Sequence, residues 1–115
     1  MSSNYFCGRD IVHLEDSDVT NNKLNIPANS FIFVYRDGCG HCKAAKPDFV
    51  KAKEENTKIN FFAIDTDSAP TLTKNFKSIT GYSISGVPMY LFYDGTKYEV
   101  YTGGRDGASI AKYLY

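Results

Sequence analysis

The chain has 115 residues with 13 basic and 13 acidic side chains, the size of one compact domain, 1-115, with no room for a two-domain enzyme. Its 43% hydrophobic and 15% aromatic content excludes a disordered chain and is enough for a core without disulfide or metal staples. The balanced charge argues against nucleic acid as a partner. The longest wholly apolar run, Phe31 to Tyr35, is far short of the roughly 20 residues a membrane span needs.

Along the chain, Ile11-Val12-His13-Leu14 predicts a short strand, and Asp16 to Ser30, rich in Asn, Asp and Ser, a short helix or loop. Phe31 to Tyr35 is apolar without alternation, the pattern of a strand covered on both faces. From Gly40 to about Glu55 the apolar positions Cys42, Ala45, Phe49 and Ala52 recur at helical spacing, with Pro47 inside and a kink expected there. Ile59 to Ile64 predicts a second buried strand, and Pro70 opens a helix to about Ile79. Met89 to Tyr93 and Lys97 to Tyr101 flank Asp94-Gly95, a hairpin signal. Asp106 is an expected N-cap, with Ile110, Ala111 and Leu114 forming the inner face of a last helix. The order βαβαβαββα predicts an α/β fold, a mixed sheet sandwiched by helices.

Three cysteines, Cys7, Cys39 and Cys42, are too few for a secreted disulfide framework. Two of them form Cys39-Gly40-His41-Cys42 at the predicted start of the first long helix. Unpaired N–H groups and the positive end of the helix dipole there favour a thiolate at Cys39, and a protonated His41 adds to the effect. Thiolate is the nucleophile of disulfide exchange, so Cys39 is the predicted attacking sulfur and Cys42, one turn in on the apolar face, the resolving one.

The strand, Cys-Gly-His-Cys, Lys43 and Pro47 together resemble a thioredoxin-fold domain of the protein disulfide isomerase type, and the resemblance covers nearly the whole chain. Gly86-Val87-Pro88 resembles the family loop that faces the active site, whose Pro is cis, and Tyr101 to Arg105 the segment that opens the last helix. The resemblance implies that Val87 and Pro88 bind an extended substrate segment and that Arg105 eases deprotonation of Cys42. The implied activity is thiol-disulfide exchange on protein substrates by a monomer, without cofactor or metal. Two departures stand out. Phe33 occupies the place of the family's buried acid, six positions before Cys39, and Gly38 that of the aromatic residue before it. Met89 after Pro88 and a longer Ser68 to Ile84 also differ, and Asp37 either disfavours the Cys39 thiolate or replaces the lost acid.

The competing readings are a zinc site completed by Cys7 and His13, disfavoured because the second half lacks pair spacing, and a binding or adaptor module with weak or no redox turnover. Cys7 and His13 read as packing residues and Arg105 equally as a local cap or ion pair. Neither a leader nor a retention signal is read from the termini, leaving localisation open between the cytosol, a viral disulfide pathway included, and the endoplasmic reticulum for a trimmed domain.

Overall fold

The structure, a computed structural model, describes residues 11–36, 38–56, 58–104 and 107–114. Cys7, Asp37, Arg105 and Asp106, and the side chain of Ala111, lie outside the described residues, so the readings made for them are not addressed by it.

The sheet is built on β4 (Ser30–Tyr35), in which every residue is buried. That is the outcome its unbroken apolar run requires: Phe31, Phe33 and Tyr35 enter one core and Ile32 and Val34 the other. β4 pairs in parallel with β5 (Asn60–Asp65), which pairs in parallel with β1 (Val12–His13) at one edge. On its other side β4 pairs antiparallel with β6 (Met89–Tyr93), followed by β7 (Tyr98–Tyr101). The order is therefore β1-β5-β4-β6-β7, the mixed sheet expected from the sequence.

One face of the sheet packs against α1 (Gly40–Glu55), which buries Cys42, Ala45, Phe49 and Ala52 and runs unbroken through Pro47. The last helix, α4 (Gly107–Leu114), joins the same core through fully buried Ile110 and partly buried Leu114. Phe33 lies within this core with its ring centroid 5.4 Å from Tyr35, 5.0 Å from Phe49 and 5.3 Å from Tyr90. Rings of this size each bury about 150–250 Å², so the Phe33 ring, which has no polar group of its own to satisfy, fills the place where the resemblance would put an acid.

The other face carries the second core, closed by Leu72 and Phe76. These belong to two short helices, α2 (Pro70–Lys74) and α3 (Phe76–Thr80), where one helix is predicted. The break falls at Asn75, and Gly81 ends α3 with φ +88°. The segment from Asp16 to Ser30 also differs from expectation. It holds a 3₁₀ turn (Asp16–Asp18) and a small hairpin of β2 (Val19–Thr20) and β3 (Lys23–Leu24). Its two turn residues, Asn21 and Asn22, have φ of 52° and 63°, the left-handed pair that a tight hairpin turn requires and Asn tolerates.

The predicted β6–β7 hairpin is present, with a different division of labour in its turn. Gly95 alone takes positive φ, and an added Cβ would lie 2.8 Å from that of Ala28. Asp94 contributes its carboxylate, which accepts the N–H groups of Thr96 and Lys97 at 2.7 and 2.8 Å.

Candidate active site

Cys39 is the N-cap of α1, with φ −86° and ψ 113°. Its sulfur accepts the Cys42 N–H at 3.2 Å, and its carbonyl accepts the Lys43 N–H at 3.0 Å. A sulfur so placed receives the N–H groups that a helix start leaves unpaired. Burial works against its ionisation. The Cys42 thiol, the Cys42 and His41 N–H groups and the Arg36 charge together outweigh that effect and lower the Cys39 pKa.

Cys42 is fully buried, and its environment does the opposite. Burial, foremost, pushes its pKa up to about 11, helped by the hydrogen bond to Cys39 and the charge there. A backbone hydrogen bond from Arg36 and the charge of Lys46 act in the opposite sense. Both thiols are free, and adjacent sulfurs with opposite proton affinities are equipped for sequential use: an ionised sulfur at the surface and a protonated one behind it.

The structure brings Val87 to this pair from the far side. Its carbonyl oxygen lies 3.7 Å from the Cys39 sulfur, and its peptide bond to the buried Pro88 is cis. Gly40 opens α1, with open space where a Cβ would sit, so it sets the spacing of the two cysteines without being sterically required. His41 is exposed on the first turn and reaches the Cys39 sulfur through its backbone N–H. His13 has its Nε2 2.6 Å from the hydroxyl of buried Tyr35. Among the described residues no three His, Cys, Asp or Glu side chains gather as metal ligands, and no helix is long and apolar enough to cross a membrane.

Two residues that sequence reasoning passed over belong to the site. Arg36, three positions before Cys39, lowers the Cys39 pKa through its charge. Lys46 lies one turn beyond Cys42 and is only 7% exposed, its ammonium 4.5 Å from the centre of the Tyr35 ring. Its signal was present in the sequence: position 46 falls on the same helical face as Cys42 and Phe49.

A groove of about 940 Å³ opens beside Cys39, with Arg36, His41, Phe76 and Val87 among its lining residues. Comparisons with known proteins bear on the family and the fold. The Thioredoxin family model matches residues 12–115. The chain is 30% identical to a protein disulfide-isomerase of Drosophila melanogaster over 84% of its own length and 19% of the relative's. It is also 30% identical to protein disulfide-isomerase 1 of Caenorhabditis elegans, over 83% and 20% respectively. It thus spans about a fifth of the length of these curated relatives. Human ERp44 superposes with a TM-score of 0.75 over 91% of this chain and 28% of its own, at 19% identity, a likeness of fold.

Proposed function

The chain belongs to the thioredoxin family, and from that premise, with the unequal environments of its two thiols, we propose that it is a thiol-disulfide oxidoreductase acting on protein substrates. The observation that carries this reading is the pairing of a Cys39 whose pKa is lowered at the tip of α1 with a Cys42 held protonated behind it. In the reducing direction the Cys39 thiolate attacks a client disulfide, forming a Cys39–client disulfide and releasing one client thiolate. Cys42 then loses its proton and attacks the Cys39 sulfur. The mixed disulfide breaks, the second client thiolate leaves and takes up a proton, and the protein is left with a Cys39–Cys42 bridge after giving up two electrons. The oxidising direction is the reverse.

Val87 and Pro88 take the substrate-binding part the resemblance gives them, supported by the Val87 carbonyl oxygen 3.7 Å from the Cys39 sulfur and by Val87 lining the groove. Gly40 and His41 set the spacing and supply the N–H that favours the thiolate, and Arg105 keeps the part the resemblance gives it, easing ionisation of Cys42. Stabilising the reduced pair through Cys39 makes its disulfide more oxidising, which favours oxidase or isomerase work over reduction.

A second reading is favoured by Phe33 and by the Cys42 pKa near 11. With no buried acid at that position, resolution is slow and the chain holds its client in a long-lived mixed disulfide, acting as an adaptor. The equilibrium reduction potential against glutathione, with Cys7→Ser in the background, separates the readings. A reversible couple near about −180 mV, with Cys39→Ser abolishing exchange and Cys42→Ser trapping the mixed disulfide, is the expected result. A value near about −270 mV makes it a reductase, and failure to form the bridge removes the redox reading in favour of the adaptor.

A further inference from the structure

The groove beside Cys39 is unevenly charged. Its described lining includes Arg36 from the end of β4, and Lys74 and Lys77 from α2 and α3, with no carboxylate among the described lining residues. All three cations are exposed, and they stand out in a chain whose overall charge is zero. Between them the surface is polar through Thr66, Thr73, Ser83 and Ser85, with an apolar floor from Phe76, Ile84 and Val87. On the sulfur's own side, Gly38 contributes no side chain to grip an apolar client.

The wall that holds Lys74 and Lys77 is built from α2 and α3. It places two ammonium groups along the path that leads to Cys39. Like charges collected on one side of a cleft draw in an oppositely charged partner and repel one of the same sign, and they set rate and selectivity more than final affinity.

From this charge distribution, taken with the redox function proposed above, we infer that the groove selects client segments that carry carboxylates beside the reacting cysteine. Arg36, Lys74 and Lys77 receive those carboxylates, and Val87 faces the backbone next to the disulfide. The specificity rests on charge and not on an apolar anchor, so it is sensitive to salt, because exposed charges more than about 8 Å apart are largely screened at physiological ionic strength.

The test uses the reduced chain and two disulfide-linked peptide homodimers that differ only in carrying Glu or Lys two and four positions from the cysteine. Each rate of reduction is divided by that of dithiothreitol on the same peptide, to remove differences in intrinsic reactivity. It is divided again by the same protein's rate with neutral hydroxyethyl disulfide, to remove differences in the reacting cysteines. At 25 mM salt the Glu peptide is expected to react about tenfold faster than the Lys peptide. The preference shrinks at 300 mM salt and inverts in the K74E/K77E double variant. Equal normalised rates, or a preference that the double variant leaves in place, overturn the inference. If hydroxyethyl disulfide is not reduced at all, the redox reading has failed, and fluorescence polarisation of thiol-free versions of the peptides then decides the groove alone. Glu-peptide binding lost in K74E/K77E upholds acidic selection, and equal binding of both peptides ends it.

Discussion

Lys46 is the most unusual single residue beside the reacting pair. Its methylene stem is buried against the core and its ammonium rests on the Tyr35 ring, which places a cation one helical turn from the thiol that must ionise in the resolving step. With Phe33 filling the usual position of an acid, no carboxylate at that position takes the Cys42 proton, and the Lys46 charge favours the anion once formed. Removing that charge while keeping the bulk, in Lys46→Met, is expected to raise the Cys42 pKa above its present value of about 11. Less thiolate is then present at a given pH. The second release of thionitrobenzoate, after Ellman's reagent reacts at Cys39, slows roughly three- to tenfold at pH 7.5, and its rate profile moves to higher pH. Lys46→Arg restores most of the rate, whereas a Lys46→Met profile superimposable on wild type would remove Lys46 from the mechanism. The cysteine pair, the loop at Val87-Pro88 and the anomaly at Phe33 were legible in the sequence because each is a local pattern. Lys46 and Arg36 were not, because a charge matters through its distance from a sulfur, and that distance exists only in the fold.

At the scale of elements, two helices take their N-terminal partners from elsewhere in the chain. The Asp16 carboxylate, in the 3₁₀ turn, accepts the Leu72 N–H of α2 at 2.7 Å. The Asp48 carboxylate, on α1, accepts the Gly107 N–H of α4 at 3.1 Å. Each meets a backbone donor that a helix start leaves unpaired and adds negative charge at the positive end of the dipole, so each also fixes one element against another. Asp16→Ala and Asp48→Ala are each expected to lower the unfolding free energy by about 1 kcal/mol, with Asn recovering part of it, as measured by urea denaturation. An unchanged midpoint in either Ala variant would show that water replaces the carboxylate at no cost. Such caps leave no trace in local sequence, since donor and acceptor are 56 and 59 positions apart. The strands and long helices of the core were legible because their apolar periodicity is local. The β2–β3 hairpin was missed because Asn21-Asn22 reads as generic loop until both residues are seen at positive φ, and the predicted single helix is divided at Asn75.

For the whole molecule, the two thiols tie folding stability to pH in opposite directions. An unfolded cysteine ionises near about pH 8.5. Cys39 ionises lower in the folded dithiol form, so between its folded pKa and about 8.5 the unfolded chain holds the extra proton, and stability rises with pH. Cys42 ionises near 11 when folded. From about 8.5 to that value the folded chain holds the extra proton, and stability falls as pH rises. The disulfide form has neither group to titrate. The stability of the dithiol form minus that of the disulfide form, from paired urea unfolding curves between pH 6 and 10.5 in a Cys7→Ser background, is therefore expected to climb, peak near about pH 8.5 and decline. Other titrating groups whose surroundings are the same in both forms cancel in the difference. Cys42→Ala removes the comparison with a bridge, but its own dithiothreitol-treated stability, set against a Cys39→Ala/Cys42→Ala control, should keep a rising limb, weakened by loss of the Cys42 thiol that bonds Cys39, and lose the decline. A difference that is flat across the range would mean that the surroundings of the two sulfurs do not separate their proton affinities, and the assignment of Cys39 as attacking and Cys42 as resolving sulfur would lose its physical basis.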